Sequence, residues 1–127
     1  MKQKTYLILA FLLFAGFGVL HAQPVACSDL FFSEYVEGTS FEKYIEIYNP
    51  TAGTVDLSDY ELRLYTNGAG TVSQALTLSG TLTSGGTIVV RNGSATGFTG
   101  GIVSSIVVNH NGDDAFELYK ISTSATV

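Results

Sequence analysis

Three carboxylates stand among aromatic side chains between Asp29 and Thr51. Glu34, Glu42 and Glu46 are interleaved with Phe31, Phe32, Tyr35, Tyr44 and Tyr48. Two carboxyl groups facing each other across a cleft can share the work of general acid and base in hydrolysis. Glu34 and Glu46 are the pair that neighbouring strands could bring together. The other reading is a solvated strand face, with Lys43 or Arg63 opposite as a surface partner worth only ~0.2–1 kcal/mol. A second concentration of oxygen ligands is Asn109, Asn111, Asp113 and Asp114 around Gly112. Calcium takes roughly six to eight oxygens. This stretch lacks a full calcium-loop pattern and the bidentate Glu that should follow, because Glu117 falls on a strand. Asn and Asp are equally the residues of an ordinary polar turn.

The remaining reactive types are sparse. His110 and His21 are the two histidines, and Cys27 is the one cysteine. A zinc site needs roughly three or four N, S or O ligands, and Cys27 is far from His110 in sequence. Gly93-Ser94-Ala95-Thr96-Gly97 places its serine off-centre, so it is no nucleophile elbow. Asn92-Gly93-Ser94 matches the glycosylation acceptor pattern, which has consequences only in a eukaryotic secretory route. Tyr35, Tyr44, Tyr48, Tyr60 and Tyr65 are the last candidates. Exposed aromatics can stack on sugars or anchor a protein partner. Some of these tyrosines are expected to be core or rim packing. The binding face expected from these residues is Tyr35, Tyr44, Glu46, Tyr48 and Tyr65.

The elements that must position these residues read as strands. Alternation is common, and no stretch keeps the helical spacing of apolar residues. Leu30 and Phe32 alternate with Phe31, Ser33 and Tyr35, and Ile45 and Ile47 alternate with Tyr44, Glu46 and Tyr48. Tyr60, Leu62 and Leu64 alternate with Glu61, Arg63 and Tyr65. The phase slips by one at Ser58-Asp59, which predicts a β-bulge or a strand corner there. Ile102 to Val108 reads as a β-branched strand, and Asn92 to Gly101 as a surface loop. Turn residues separate about seven or eight short strands, the pattern of an all-β sandwich.

The chain has 127 residues, room for one domain. Lys2 and Lys4, the apolar run from Tyr6 to Leu20, and the small residue Ala22 describe a secretory signal peptide over residues 1–22. That run is short of the ~20 residues a membrane-spanning helix needs, and no second one follows. Residues 23–28 read as a short linker and 29–127 as the sandwich domain. Taking Lys2 and Lys4 from the 6 basic residues leaves 4 against 11 acidic, moving the net charge from −5 to −7. An acidic domain repels phosphate backbones, so nucleic acid is not the expected partner. One cysteine allows no intrachain disulfide, and the core must hold the domain. Pro24-Val25-Ala26-Cys27 lacks the leucine usual before a lipid-modified cysteine, so Cys27 is expected to be a plain residue.

Four segments, "LFFSEYVEG", "KYIEIYNPT", "VDLSDYELRLYTNG" and "NGDDAFELYK", occur in this order with Gly-rich turns between them. Together they resemble the lamin tail domain of secreted bacterial proteins, over Asp29 to about Lys120. The resemblance implies an immunoglobulin-like β-sandwich with no catalytic residues to carry over. In bacteria such modules are often joined to secreted nucleases, phosphatases or other hydrolases, or to surface-sorting tails. In nuclear lamins their relatives bind proteins and DNA. Family members usually continue past "DDAFELYK" with another turn and strand, whereas this sequence stops at Val127. The resemblance therefore implies a missing last strand, a C-terminally truncated domain and an unpaired sheet edge.

These readings converge on a secreted, non-catalytic accessory or adhesion module, periplasmic or at the surface of a Gram-negative cell. Its partner is expected to be a protein or cell-surface component. No cofactor is expected, calcium being the one candidate. The rival expectation is the N-terminal part of a secreted, endonuclease-like hydrolase whose catalytic domain lies beyond Val127.

Overall fold

Where the sequence alternates, the backbone extends. The computed structural model describes residues 27–127. The signal-peptide expectation and residues 23–26 of the expected linker lie outside the described residues. The strands are β1 (Phe31–Glu37), β2 (Lys43–Tyr48), β3 (Val55–Asp56), β4 (Tyr60–Tyr65) and β5 (Gln74–Thr77). They continue with β6 (Thr81–Leu82), β7 (Thr87–Arg91), β8 (Ile102–Val103), β9 (Ala115–Lys120) and β10 (Ala125–Thr126). The fold is all-β, as the sequence predicts. The count exceeds seven or eight because β3, β6, β8 and β10 are two-residue pairings, too short to show alternation.

Two four-stranded sheets, in the orders β1-β2-β7-β8 and β10-β9-β4-β5, hold Ile45, Ile47, Leu62, Leu64, Val90 and Leu118 between them. β3 and β6 pair separately. Each fully buried Leu, Ile or Val contributes about 1.5–3 kcal/mol by leaving water, which is what a chain without a disulfide must rely on. Every ladder is antiparallel except β7–β8. The other faces of β2 and β4 carry Tyr44, Glu46 and Tyr48, and Glu61, Arg63 and Tyr65, all half-buried.

The phase slip at Ser58-Asp59 is a corner and not a bulge. Leu57–Asp59 form one 3-10 turn, and the Asp56 side chain accepts from Ser58 N at 2.9 Å. The chain leaves the β3–β6 pair there and enters the second sheet with Leu57 and Tyr60 both buried. The bulge lies instead in β1. Phe32 pairs with Ile47 and Glu34 with Glu46, so Ser33 is the extra residue.

Two other expectations change. The run Ile102 to Val108 is a strand only over Ile102–Val103. Ser104 then turns the chain: its carbonyl accepts from Val108 N at 2.9 Å and its hydroxyl from Val107 N at 3.3 Å. Val107 and Val108 thereby plug the core instead of alternating. The β9 edge is not wholly unpaired either. Residues 121–124 turn back and β10 pairs Ala125 with Lys120 and Thr126 with Tyr119. Asp59 fixes that turn, accepting from Ser122 N at 2.8 Å and from Ser122 Oγ at 2.6 Å.

Buried asparagines close two strand ends. Asn49 Nδ2 donates to Gly53 O at 2.9 Å and to Leu82 O at 2.8 Å, while its Oδ1 accepts from Thr51. Asn92 Nδ2 donates to Val108 O at 2.8 Å. Asn92 is only 2% exposed, so the Asn92-Gly93-Ser94 match is no accessible glycosylation acceptor. A buried amide in this position has its donors committed to the backbone, as burial requires.

Candidate functional site

The outer face of the β1-β2-β7-β8 sheet is built in rows set by strand register. Val36 lies opposite Tyr44, which lies opposite Arg91. Glu34 lies opposite Glu46, which lies opposite Val89. Phe31 lies opposite Tyr48, their rings 5.5 Å apart and edge to face. The loop after β7 returns over this face and sets Phe98 edge-on to Tyr44, with ring centroids 6.4 Å apart. The result is a hollow of ≈ 380 Å³. Val36, Val89, Tyr44 and Phe98 form its apolar walls, and Glu34 and Glu46 stand together on the sheet.

Glu42 fastens the loop that makes one wall. Its carboxylate accepts from Tyr44 OH, from Thr96 N and Thr96 Oγ1 at 2.8 Å each, and from Gly97 N at 3.0 Å. The Tyr44 hydroxyl, then Thr96 and Gly97, hold its pKa down to about 2. Tyr44 OH also receives Phe98 N at 3.1 Å. Glu42 is therefore committed to holding the loop. Glu34 and Glu46 remain as opposed carboxylates, with Ser33 Oγ donating to Glu46 at 2.7 Å. The expected surface cations do not face them. Lys43 points to the core side, 3.6 Å from Glu37, and Arg63 lies on the other sheet, 2.8 Å from Glu61.

The five residues expected to form one binding face are divided among three places. Tyr44, Glu46 and Tyr48 share the outer face of the first sheet. The bulge at Ser33 moves Tyr35 off the outer face: it pairs with Ile45 and, though 48% exposed, packs at the rim of the sandwich against His110 and Phe116. Tyr65 belongs to the outer face of the opposite sheet, where its hydroxyl donates to Glu117 at 2.5 Å. There Arg63 stacks over Tyr119 at 3.2 Å and pairs with Glu61 and Glu117, a face that satisfies its own charges.

The other candidates serve the frame. Of Asn109, Asn111, Asp113 and Asp114, the last accepts from Asn67 N at 2.8 Å and Asn111 N at 2.9 Å, the geometry of a capped turn. Glu117 falls away from that turn. Among the described residues no three His, Cys, Asp or Glu side chains converge as metal ligands. His110 is fully buried, and its Nε2 donates to Val36 O at 3.0 Å. Its Nδ1 has no partner, and burial holds its pKa below the usual value. Asp29 binds Lys120 Nζ at 2.7 Å and receives the Tyr60 hydroxyl, tying the domain's first residues to β4 and β9. Burial pushes the Asp29 carboxyl up, but Lys120, Tyr60 and Leu30 N together bring it below the ordinary range. Cys27 is exposed.

The sequence reading missed Val36, Val89 and Phe98. Val36 and Val89 are legible only through cross-strand register. Phe98 carried one signal: it is the sole aromatic in the Gly-, Ser- and Thr-rich loop from Asn92 to Gly101.

A family model described as Lamin Tail Domain matches residues 23–127. The chain belongs to the lamin tail domain family. The lamin tail resemblance carried by the four segments is thus borne out at the level of the family, and with it the immunoglobulin-like β-sandwich. No curated protein matches the chain. The lamin tail domain is a non-catalytic, binding-type module, and among the described residues no helix is long and apolar enough to cross a membrane.

Proposed function

We propose that this lamin tail domain is a secreted, non-catalytic accessory module that binds a protein or cell-surface component through the outer face of the β1-β2-β7-β8 sheet. The carrying observation is the hollow between β1, β2, β7 and the loop bearing Phe98. A sheet face that only met water would carry polar residues at Val36 and Val89, and the loop over it would have no need of Phe98. Apolar surface gathered in one place marks an interaction site more often than scattered exposure does. Export is supported by the basic head and apolar run of residues 1–22. The same role holds whether the partner is a separate molecule or a hydrolase domain of a longer polypeptide.

The test has two arms. Purified protein is assayed against nucleic acid, phosphoester and glycoside substrates, where robust turnover overturns the non-catalytic reading. It is then applied to an immobilised peptide array before and after Val89→Arg. Binding that Val89→Arg abolishes, with the melting midpoint retained, supports the face. Binding that survives Val89→Arg overturns it.

A further inference from the structure

Resting on that reading, we infer that the hollow receives an arginine side chain from a protein partner, its guanidinium held between Glu34 and Glu46. The two glutamates are direct cross-strand partners on the outer face. Like charges placed so are unfavourable in the free protein. The described ion pairs are Lys43–Glu37, Arg63–Glu61, Arg63–Glu117 and Lys120–Asp29, and none includes Glu34 or Glu46. Arg91, the cation on this face among the described residues, is turned to the loop: Nε donates to Gly100 O at 3.0 Å and Nη1 to Asn92 O at 3.1 Å. The face thus lacks a cation of its own at the place where two carboxylates meet.

The walls select the kind of cation. A bare divalent ion wants a shell of oxygens, whereas this hollow offers carboxylates beside Val36, Val89, Tyr44 and Phe98. Arginine suits both parts. Its methylene stem covers apolar surface, its planar guanidinium packs on aromatic rings, and its fork of donors can address two carboxylates at once. Phe98 is 46% exposed, yet its loop is fixed by the Glu42 hydrogen bonds, so the wall is in place before a partner arrives. The net charge of −5 would draw a basic partner toward the protein.

The probe is a fluorescent peptide of sequence Ser-Leu-Arg-Leu-Arg-Leu-Ser, with a twin carrying neutral citrulline for each arginine. Fluorescence anisotropy is read on the full protein at low and moderate salt. The expected result is binding of the arginine peptide at least about tenfold tighter than the citrulline twin, weakening with salt. Glu34→Gln/Glu46→Gln should erase that preference while the melting midpoint holds or rises. Phe98→Ala should weaken both peptides. Asp113→Asn/Glu61→Gln removes the same charge elsewhere and should leave the preference intact. Equal binding of the twins, or a preference unmoved by Glu34→Gln/Glu46→Gln, overturns the inference. In that case loss of both peptides in Val89→Arg leaves the binding-face reading standing. Absence of binding by either peptide also overturns it, and the array result then judges the broader reading alone. Preferential capture of phosphatidylcholine vesicles would overturn it in favour of a lipid headgroup.

Discussion

The rings of Tyr35 and His110 lie 4.5 Å apart, joining the edge of the first sheet to the loop that precedes β9. Phe116 completes the cluster with its ring 5.1 Å from His110, edge to face. His110 Nε2 donates to Val36 O, so the imidazole closes a backbone acceptor that an edge strand would otherwise leave open. Around it stand Lys43, Glu37 and Asp114, and Glu37 Oε1 accepts from Gly112 N at 3.1 Å. Partial burial and then Glu37 push the Tyr35 phenol up to about 12, so it stays neutral and keeps donating to Glu37.

Acid should loosen this cluster first. Burial depresses the folded pKa of His110 from its ordinary 6.5. The unfolded chain therefore binds the proton more readily, and the His110 contribution is complete above 6.5 and declines as pH falls below it toward the folded value. Urea melts between pH 7.5 and 5 should show that decline. His110→Ala should cost about 2–4 kcal/mol from the cavity and the orphaned carbonyl, and should flatten the pH profile. An unchanged profile in the variant would assign the acid sensitivity to other groups.

Glu42 should act as the latch of the Phe98 wall. Its folded pKa of about 2 lies below the ordinary 4.5, so the latch is complete above 4.5 and is lost as pH falls through about 2. Glu42→Gln should speed amide exchange at Thr96 and Gly97 at neutral pH, with the sandwich otherwise intact. Wild-type protein should change in the same way only near pH 2. Exchange rates read by NMR decide it, and slow exchange in the variant would contradict the latch.

Gly101 should tolerate no side chain. Its φ is +80°, and a Cβ there would stand 2.1 Å from the Val89 carbonyl oxygen. Gly101→Ala must push β8 away from β7 and should cost about 2–4 kcal/mol. Gly68, with φ of +64° and open space around it, provides the contrast. Gly68→Ala should cost only the left-handed strain of about 1–2 kcal/mol. Equal midpoints for the two variants in thermal melts would refute the close approach.

The Ser33 bulge should be dispensable to the faces of β1. Ser33→Ala removes one exposed hydrogen bond to Glu46 and should stay within about 1 kcal/mol. Deleting Ser33 removes the extra residue and leaves Phe32 opposite Ile47 and Glu34 opposite Glu46, so every side chain of β1 keeps its face. The deletion should therefore cost no more than about 1–2 kcal/mol. Denaturant midpoints measure both, and a deletion costing roughly 3 kcal/mol or more would show that the strand needs the bulge itself.

The strands of this protein were written in its local alternation. Period two along Lys43–Tyr48 and Tyr60–Tyr65 is a property of adjacent residues, and it placed Ile45, Ile47, Leu62 and Leu64 inside before any fold was known. The four ordered segments did the same for the family. Phase and neighbourhood were decided only by tertiary structure. One extra residue at Ser33 takes Tyr35 off the outer face to the rim beside His110, and nothing in the local sequence separates that bulge from plain continuation. The same holds for Ile102–Val108, where two strand residues give way to a turn that buries Val107 and Val108. Tyr65 looked like a companion of Tyr44 because both alternate outward, yet the two strands belong to opposite sheets. The hollow brings together Val36, Val89 and Phe98 from segments far apart in the chain, through strand pairing and the Glu42 hydrogen bonds to Thr96 and Gly97. Alternation tells a side chain to turn in or out, but which other side chains it meets depends on pairing between distant strands, and that information is carried by no single stretch of sequence.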